Sequence, residues 1–383
     1  MQDIIVFGAT GFTGRLVAEY LSEAYPRLQY AMAGRNPEKL EKVRAKMGIP
    51  ERVSLLEADA TDVDSLIGMV KNAKAVITTV GPYQLYGTNL VEACAKAGTD
   101  YVDLSGEPAW MVDTIREFQT VAKASGARIV HSCGFDSVPF DMGVYYLQQQ
   151  AMERFGIPCS RVRGRVRAMK GTFSGGTFAS FSETMKRAQT QPEILDWMKD
   201  PFALTPDFTG PEQPHGAKPL YEADLKSWSA PFIMASINTK NIHRSNYLMD
   251  QPYGADFVYD EMMLTGDGEV GEQTATAVAK GNAFGDNPPA PGEGPSKEER
   301  DTGFYDIAFF GETRDGRTLQ VGVKGKRDPG YGSTSRMISE CALCLVKEDL
   351  DTKGGIYTPA PAFGDTLIER LEKADVMKFA VES

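Results

Sequence analysis

A chain of 383 residues, 42% hydrophobic and 24% charged, has the composition of a soluble globular protein long enough for two domains. Its formal charge of −11, unrelieved by any basic block or basic–aromatic stripe, argues against nucleic acid as a partner. No apolar run approaches the roughly 20 residues that cross a bilayer, and Met1-Gln2-Asp3 leads straight into a strand, so we expect neither a transmembrane segment nor a signal peptide and a cytoplasmic location, with peripheral contact at a membrane surface left open.

The apolar run Ile4-Ile5-Val6-Phe7 reads as a buried strand, and Gly8-Ala9-Thr10-Gly11-Phe12-Thr13-Gly14 reads as a glycine-rich turn into a helix from Arg15. Such a turn brings backbone N–H groups and the positive end of a helix dipole against phosphates, the arrangement that binds a dinucleotide pyrophosphate. Its spacing is G-x-x-G-x-x-G instead of G-x-G-x-x-G. A second strand, 29–33, ends in Gly34-Arg35-Asn36, after which Pro37 opens a helix. No acid stands there to hold a ribose 2′-hydroxyl, whereas Arg35 suits the 2′-phosphate of NADP, so NADP(H) is the expected cofactor. The third strand, 53–58, ends at Asp59, which is placed either to meet the adenine amino group or to cap the next helix.

Alternation continues with a helix over 62–71, a strand over 75–80, a helix over 90–97, a strand over 101–104, a long helix over 108–125 and a strand over 127–131. This pattern predicts an α/β fold, a Rossmann-type doubly wound parallel sheet over residues 1–150. The loops 81–87, 105–108 and 133–139 then stand at the carboxyl ends of strands and line one crevice. Candidate cofactor contacts are Gly8, Thr10, Gly11, Phe12, Thr13 and Gly14 in the turn, Gly34, Arg35, Asn36 and Asp59 at the adenosine end, and Val80, Gly81, Pro82 and Tyr86 after the fourth strand.

Residues 151–330 read as a second, α+β substrate domain. Within it, 162–168 alternates apolar and basic residues like a half-exposed strand, and 171–176 reads as a turn before a helix over 180–189. The aromatic- and proline-rich stretch 197–260 shows no long helical period; it either shapes an apolar pocket or is a loop-rich segment pinned to the core. Residues 285–303 read as a mobile surface loop, and 304–311 with 318–325 as a hairpin around Asp315-Gly316. Residues 331–383 supply helices over about 333–347 and 362–373 that pack back on the first domain. Five scattered cysteines include one C-x-x-C, Cys341 and Cys344, inside an apolar helical stretch; without a second pair it reads as helix packing, and no metal is expected.

Familiar catalytic signatures are missing. None of the 15 tyrosines has a lysine four residues later, the three histidines lack metal-ligand spacing, and no G-x-S-x-G elbow occurs; His131 reads as a packed histidine.

The segments GATGFTG at 8–14, AGRNPEKL at 33–40, VGPYQLYG at 80–87, AGTDYVDLSGE at 97–107 and GFDSVPFDMG at 134–143 together resemble the saccharopine dehydrogenase-like oxidoreductases. APFIMASINTK at 230–240, RSN at 244–246, GYGSTSRM at 330–337 and TPAPAFGDTLIERL at 358–371 resemble the trans-acting enoyl reductase branch. The resemblance implies NADPH-dependent reduction of a carbon–carbon double bond conjugated to a carbonyl, on an apolar small molecule or a carrier-bound acyl chain of lipid or polyketide type. Such a reduction needs hydride delivery to the β-carbon, stabilisation of the enolate oxygen and a proton for the α-carbon. Tyr83 is placed to donate to the enolate oxygen, or else to stack on the cofactor or pack its loop. Asp136 is placed to orient a water or the carboxamide, or to cap the helix beginning near Ser137. Two rival readings are a non-catalytic NADP-binding scaffold or sensor and a reductase of a ketone or imine.

Overall fold

The computed structural model describes residues 1–171, 175–281 and 293–383. The first elements in chain order are β1 (Gln2–Phe7), α1 (Phe12–Ala24), β2 (Tyr30–Gly34), α2 (Pro37–Lys46), β3 (Ser54–Glu57), α3 (Val63–Val70), β4 (Ala73–Thr78), α4 (Tyr83–Tyr86), α5 (Thr88–Ala97), β5 (Asp100–Val102), α6 (Pro108–Ser125) and β6 (Arg128–Val130). Strands such as Ile4-Ile5-Val6 and Val76-Ile77 are fully buried because helices cover both faces of the sheet they form. Each such aliphatic side chain contributes roughly 1.5–3 kcal/mol on burial.

The chain continues with α7 (Val138–Phe155), β7 (Cys159–Lys170), α8 (Gly175–Ala188), α9 (Glu193–Lys199), β8 (Leu220–Glu222), β9 (Ser227–Pro231), α10 (Ala235–Leu248), β10 (Val258–Gly266), α11 (Gly268–Lys280), α12 (Lys297–Thr302), β11 (Phe304–Thr313) and β12 (Thr318–Lys326). It ends with α13 (Thr334–Lys347), β13 (Gly355–Tyr357), α14 (Pro359–Lys373) and β14 (Met377–Val381). One seven-stranded sheet has the order β13-β6-β5-β4-β1-β2-β3 and every strand pair in it is parallel. The other, β14-β12-β11-β7-β10-β9-β8, is mixed, with only β7 and β10 parallel. The fold is thus a Rossmann-type doubly wound sheet with a second α+β unit. Sheet order reverses between β1 and β4, and ligands of such sheets bind outside the carboxyl ends of the strands at that reversal.

Several local expectations are corrected. The C-terminal stretch supplies strands as well as helices: β13 joins the parallel sheet and β14 the mixed one. The alternating arginines of β7 are half-exposed as expected at Arg161, Arg163 and Arg167 but not at Arg165. Arg165 is buried and paired with Glu222 and Asp260, while Arg167 pairs with Asp306 and Glu382, so charges on neighbouring strands neutralise that face. Residues 235–248, read as irregular, form α10. Its polar side chains escape an amphipathic period because they are buried and bonded to distant backbone: Arg244 donates to the Leu204 and Ile356 carbonyls at 2.6 Å each, and Lys240 to the Met198 and Ser236 carbonyls at 2.8 Å.

The loop expected over 285–303 and the turn over 171–176 lie partly outside the described residues. Where they are described, Gly175 already begins α8, and Lys297–Thr302 is helical behind a capping box in which Ser296 and Glu299 satisfy each other's backbone N–H groups. All five cysteines are buried free thiols, as helix and core packing requires. Among the described residues, no helix is long and apolar enough to cross a membrane, and no cluster of His, Cys, Asp or Glu fits a metal ion.

Candidate active site

The glycine turn is built by close approach. Gly8 sits at φ +86°, in the left-handed region, and a Cβ there would lie 2.8 Å from both Thr79 Oγ1 and Val80 Cγ2. A Cβ on Gly14 would invade the Gly8 carbonyl, so α1 can pack this tightly on the turn only with glycine. The Gly11 N–H donates to the Gly8 carbonyl at 2.9 Å, and no side chain caps α1. Its first turn therefore keeps unpaired amides for an anion. These features form a cradle that fits a pyrophosphate.

Gly11, Phe12, Thr13, Thr79 and Gly81 line one side of a cleft of about 480 Å³, which continues along Leu104, Gly106 and Gly134–Asp136 at the ends of β5 and β6. The opposite wall comes from the second unit: Met169, Thr177, Ser180, Phe181 and Thr184, then Met198, Ile233, Met234 and Ile237, with Pro329–Tyr331 and Thr334 closing one end. The three loops expected to share a crevice, 81–87, 105–108 and 133–139, do meet there. Glu107 ties the first two of these loops to α8: its carboxylate accepts from the Tyr83 and Gln84 amides at 2.8 Å and from the Ser180 hydroxyl at 2.6 Å. The burial that isolates it raises its pKa.

Other expected cofactor residues divide by position. Gly34, Arg35 and Asp59 stand at the ends of β2 and β3, beyond the enclosed part of the cleft. Arg35 is exposed and has no ion pair among the described residues, and its charge helps lower the pKa of Asp59 after the larger effect of bonds from Thr61. Asp59 does not cap α3; Asp62 does, accepting from the Asp64 and Ser65 amides, whereas Asp59 closes a turn onto Thr61 at 2.8 Å. The Asn36 side chain is used in capping α2 through the Lys39 amide at 2.8 Å, which leaves its carbonyl engaged away from a cofactor. Thr10, Val80 and Pro82 flank lining residues without lining the cleft themselves, and Tyr86 is exposed on α4 outside it.

The two catalytic candidates part company. Tyr83 is buried and stacked on Trp110, ring centroids 5.4 Å apart; its hydroxyl donates to the Thr78 carbonyl at 3.2 Å and accepts from the Leu104 amide at 3.0 Å. Burial and the nearby Asp103 carboxylate push the phenol pKa well up. Its one proton is committed to the backbone, so the expected donation to an enolate does not fit this arrangement. Asp136 lines the cleft half-buried, with no hydrogen-bond partner among the described residues, and desolvation raises its pKa to about 6. It does not cap α7 either: the Val138 amide already reaches the Gly134 carbonyl, Pro139 has no N–H, and the Phe140 amide reaches the Ser137 carbonyl.

His131 is a packed histidine as expected, with Nδ1 at 2.7 Å from Asp103 and Nε2 at 3.1 Å from Thr114. The aromatics of 197–260 are absent from the described lining. Phe202 packs on His243 at 4.5 Å and Tyr253 on Phe257 at 5.4 Å, around buried α10, so methionine and isoleucine form the apolar wall instead. Ile233, Met234 and Ile237 lie in the APFIMASINTK segment that carries the resemblance, but nothing in the sequence singles out either them or Met198 as lining a cleft.

Residues 4–130 match the saccharopine dehydrogenase NADP-binding domain. A putative trans-acting enoyl reductase of Mycobacterium tuberculosis is 40% identical, the match covering 98% of this chain and 96% of the relative. The chain belongs to the saccharopine dehydrogenase-like oxidoreductases, in their trans-acting enoyl reductase branch. Within this branch, the trans-acting enoyl reductase of Mycobacterium ulcerans is 35% identical over the same shares of the two chains. A saccharopine dehydrogenase (L-Glu forming) of Saccharomyces cerevisiae covers 100% of both chains with a TM-score of 0.57 at 10% identity, which speaks for the fold alone. Membership makes this reductase-family chain an NADP-dependent oxidoreductase, and the glycine cradle is where NADP(H) fits.

Proposed function

We propose that the protein reduces a carbon–carbon double bond conjugated to a carbonyl on an apolar acyl chain. One observation carries the substrate class. The wall facing the glycine cradle is Met169, Phe181, Met198, Ile233, Met234 and Ile237, and no lysine, arginine or histidine lines the cleft among the described residues. An amino-acid or imino-acid substrate would bury its carboxylate there without a counter-charge, a cost of several kcal/mol. A neutral acyl chain meets no such penalty. The similarity to trans-acting enoyl reductases supports the same reading.

In this reading the amides of the first turn of α1, with Gly11 and Thr13, hold the pyrophosphate, and Arg35 pairs with the 2′-phosphate. NADPH, when bound, supplies the hydride. Gly81 and Gly106 keep the strand-end loops thin: a Cβ at Gly81 would meet nothing closer than the Tyr83 ring at 3.7 Å, and one at Gly106 nothing closer than Met234 Cε at 3.9 Å. The methionine–isoleucine wall excludes water from the acyl chain and, with Glu107 fastening Tyr83–Gln84 to Ser180, holds it against the ends of β4–β6.

The reading is tested by following NADPH oxidation with enoyl thioesters of increasing chain length. Each methylene buried adds about 0.8 kcal/mol, or roughly fourfold in affinity, until the cleft is filled. Turnover of short polar imino acids with no response to enoyl thioesters would overturn it.

A further inference from the structure

We propose that Asp136 is the catalytic acid that protonates the α-carbon of the reduced substrate. This rests on the enoyl-reduction reading above and names the residue that completes it.

The cleft offers few alternatives. Its titratable lining residues, among those described, are Tyr83, Asp136, Glu293 and Tyr331. The Tyr83 proton is held by the Thr78 carbonyl, the Tyr331 hydroxyl donates to the Glu293 carbonyl at 3.2 Å, and Glu293 is exposed. Four of the cleft hydroxyls are also committed: Ser180 donates to Glu107, Thr184 to the Ser180 carbonyl, Ser236 to the Ile233 carbonyl and Thr334 to the Pro329 carbonyl. Asp136 alone combines a transferable proton, a place on the loop that ends β6 and a carboxyl with no competing partner.

Its position is held from both sides. The Phe135 amide donates to Thr334 Oγ1 at 3.0 Å, and the Phe135 ring lies edge-on to Tyr305 at 4.9 Å. On the other side the Ser137 hydroxyl accepts from Asn241 Nδ2 at 2.6 Å and donates to Asn238 Oδ1 at 3.2 Å. Anchors from α10 and the start of α13 thus fix the residues flanking Asp136 while leaving its own carboxyl free. Among the described residues, no lysine, arginine or histidine faces it from the cleft to keep it ionised. An acyl chain filling the cleft removes more water and favours the protonated form further.

The step balances simply. Once hydride has reached the β-carbon, the former double-bond pair resides on the enolate. The Asp136 O–H bond then breaks as the α-carbon C–H bond forms, and the carboxylate left behind recovers a proton from water. NADPH ends as NADP⁺ and the enoyl group as the saturated acyl chain.

Asp136→Asn keeps the shape and removes the acid. We expect turnover of enoyl thioesters to fall about 10²–10⁴-fold, with NADPH affinity measured by fluorescence and thermal midpoint both retained. Asp136→Glu should restore part of the activity. In the unliganded protein, ¹³C NMR of labelled aspartate should show a carboxyl titrating near 6 that is missing from Asp136→Asn. Unmodified protein should lose kcat/KM above that titration, and the residual activity of Asp136→Asn should lack the step. If the unmodified protein reduces enoyl thioesters and Asp136→Asn does so within threefold, the acid role is overturned and the substrate reading stands. Loss of NADPH affinity in Asp136→Asn would overturn it in favour of a cofactor contact. An unmodified protein inactive on every enoyl thioester would overturn the substrate reading and this role with it.

Discussion

The Tyr83 hydroxyl donates to the carbonyl of Thr78, the last residue of β4, and thereby fastens the cleft loop to the strand it leaves. It also accepts the Leu104 amide from the neighbouring strand end. Tyr83→Phe should therefore cost about 1 kcal/mol of stability by orphaning the part-buried Leu104 N–H, while turnover stays within about threefold. Urea unfolding and NADPH oxidation measure the two effects. A hundredfold loss of turnover at unchanged stability would return the phenol to the chemistry.

Arg35 follows β2, exposed and without an ion pair among the described residues, free for a 2′-phosphate. Arg35→Ala should weaken NADPH binding by about 1.5–3 kcal/mol, the value of a charge-assisted bond, and leave NADH binding nearly unchanged. Calorimetric titration with both cofactors decides this. Equal affinity of the unmodified protein for the two would remove the role assigned to Arg35.

Gly81 and Gly14 should respond differently to a side chain. A Cβ at Gly81 meets only the Tyr83 ring at ordinary contact distance, so Gly81→Val should fold and melt normally yet bind NADPH at least tenfold more weakly. At Gly14 the added carbon strikes the Gly8 carbonyl, which no rotamer relieves; Gly14→Ala should lose about 1–3 kcal/mol of stability together with cofactor binding. Normal NADPH affinity in Gly81→Val would move the cofactor away from the 81–87 loop.

Asp141, in the first turn of α7, is buried, and its pKa is raised to about 7 by desolvation, against which the hydrogen bond from the Ala360 amide acts. One carboxyl oxygen accepts from Ala360 N at 2.8 Å and the other has no partner among the described residues. Because its pKa is higher folded than unfolded, the folded state binds the extra proton. Stability from this group is complete below about pH 4 and declines as pH rises through about 7. Asp141→Asn keeps an acceptor for Ala360 and carries no charge, so its melting temperature should exceed that of the unmodified protein above pH 7 and converge with it near pH 4. A pH-independent difference would assign the effect to packing.

What could be read from the residues in order was what depends on neighbours in the chain. The run Ile4–Phe7, the glycines at 8, 11 and 14 and the helix after them specify a strand, a turn and an uncapped helix start through dihedral preference and burial alone, so the parallel sheet and its cofactor cradle were legible. The position of Arg35 just after β2 was legible for the same reason, since the end of β2 is set by the strand itself. Local pattern failed where partners are remote. Asn238, Lys240, Asn241 and Arg244 look unsuited to a buried helix until the carbonyls of Met198, Leu204 and Ile356 and the hydroxyl of Ser137 arrive to satisfy them. Only the tertiary structure decided which hydroxyls of the cleft were already spent and that Asp136 was not. A hydrogen bond commits a proton to whatever packing brings within about 3 Å, and for Tyr83, Ser180 and Thr334 that partner was fixed by how the strand ends, α8 and the start of α13 close on one another.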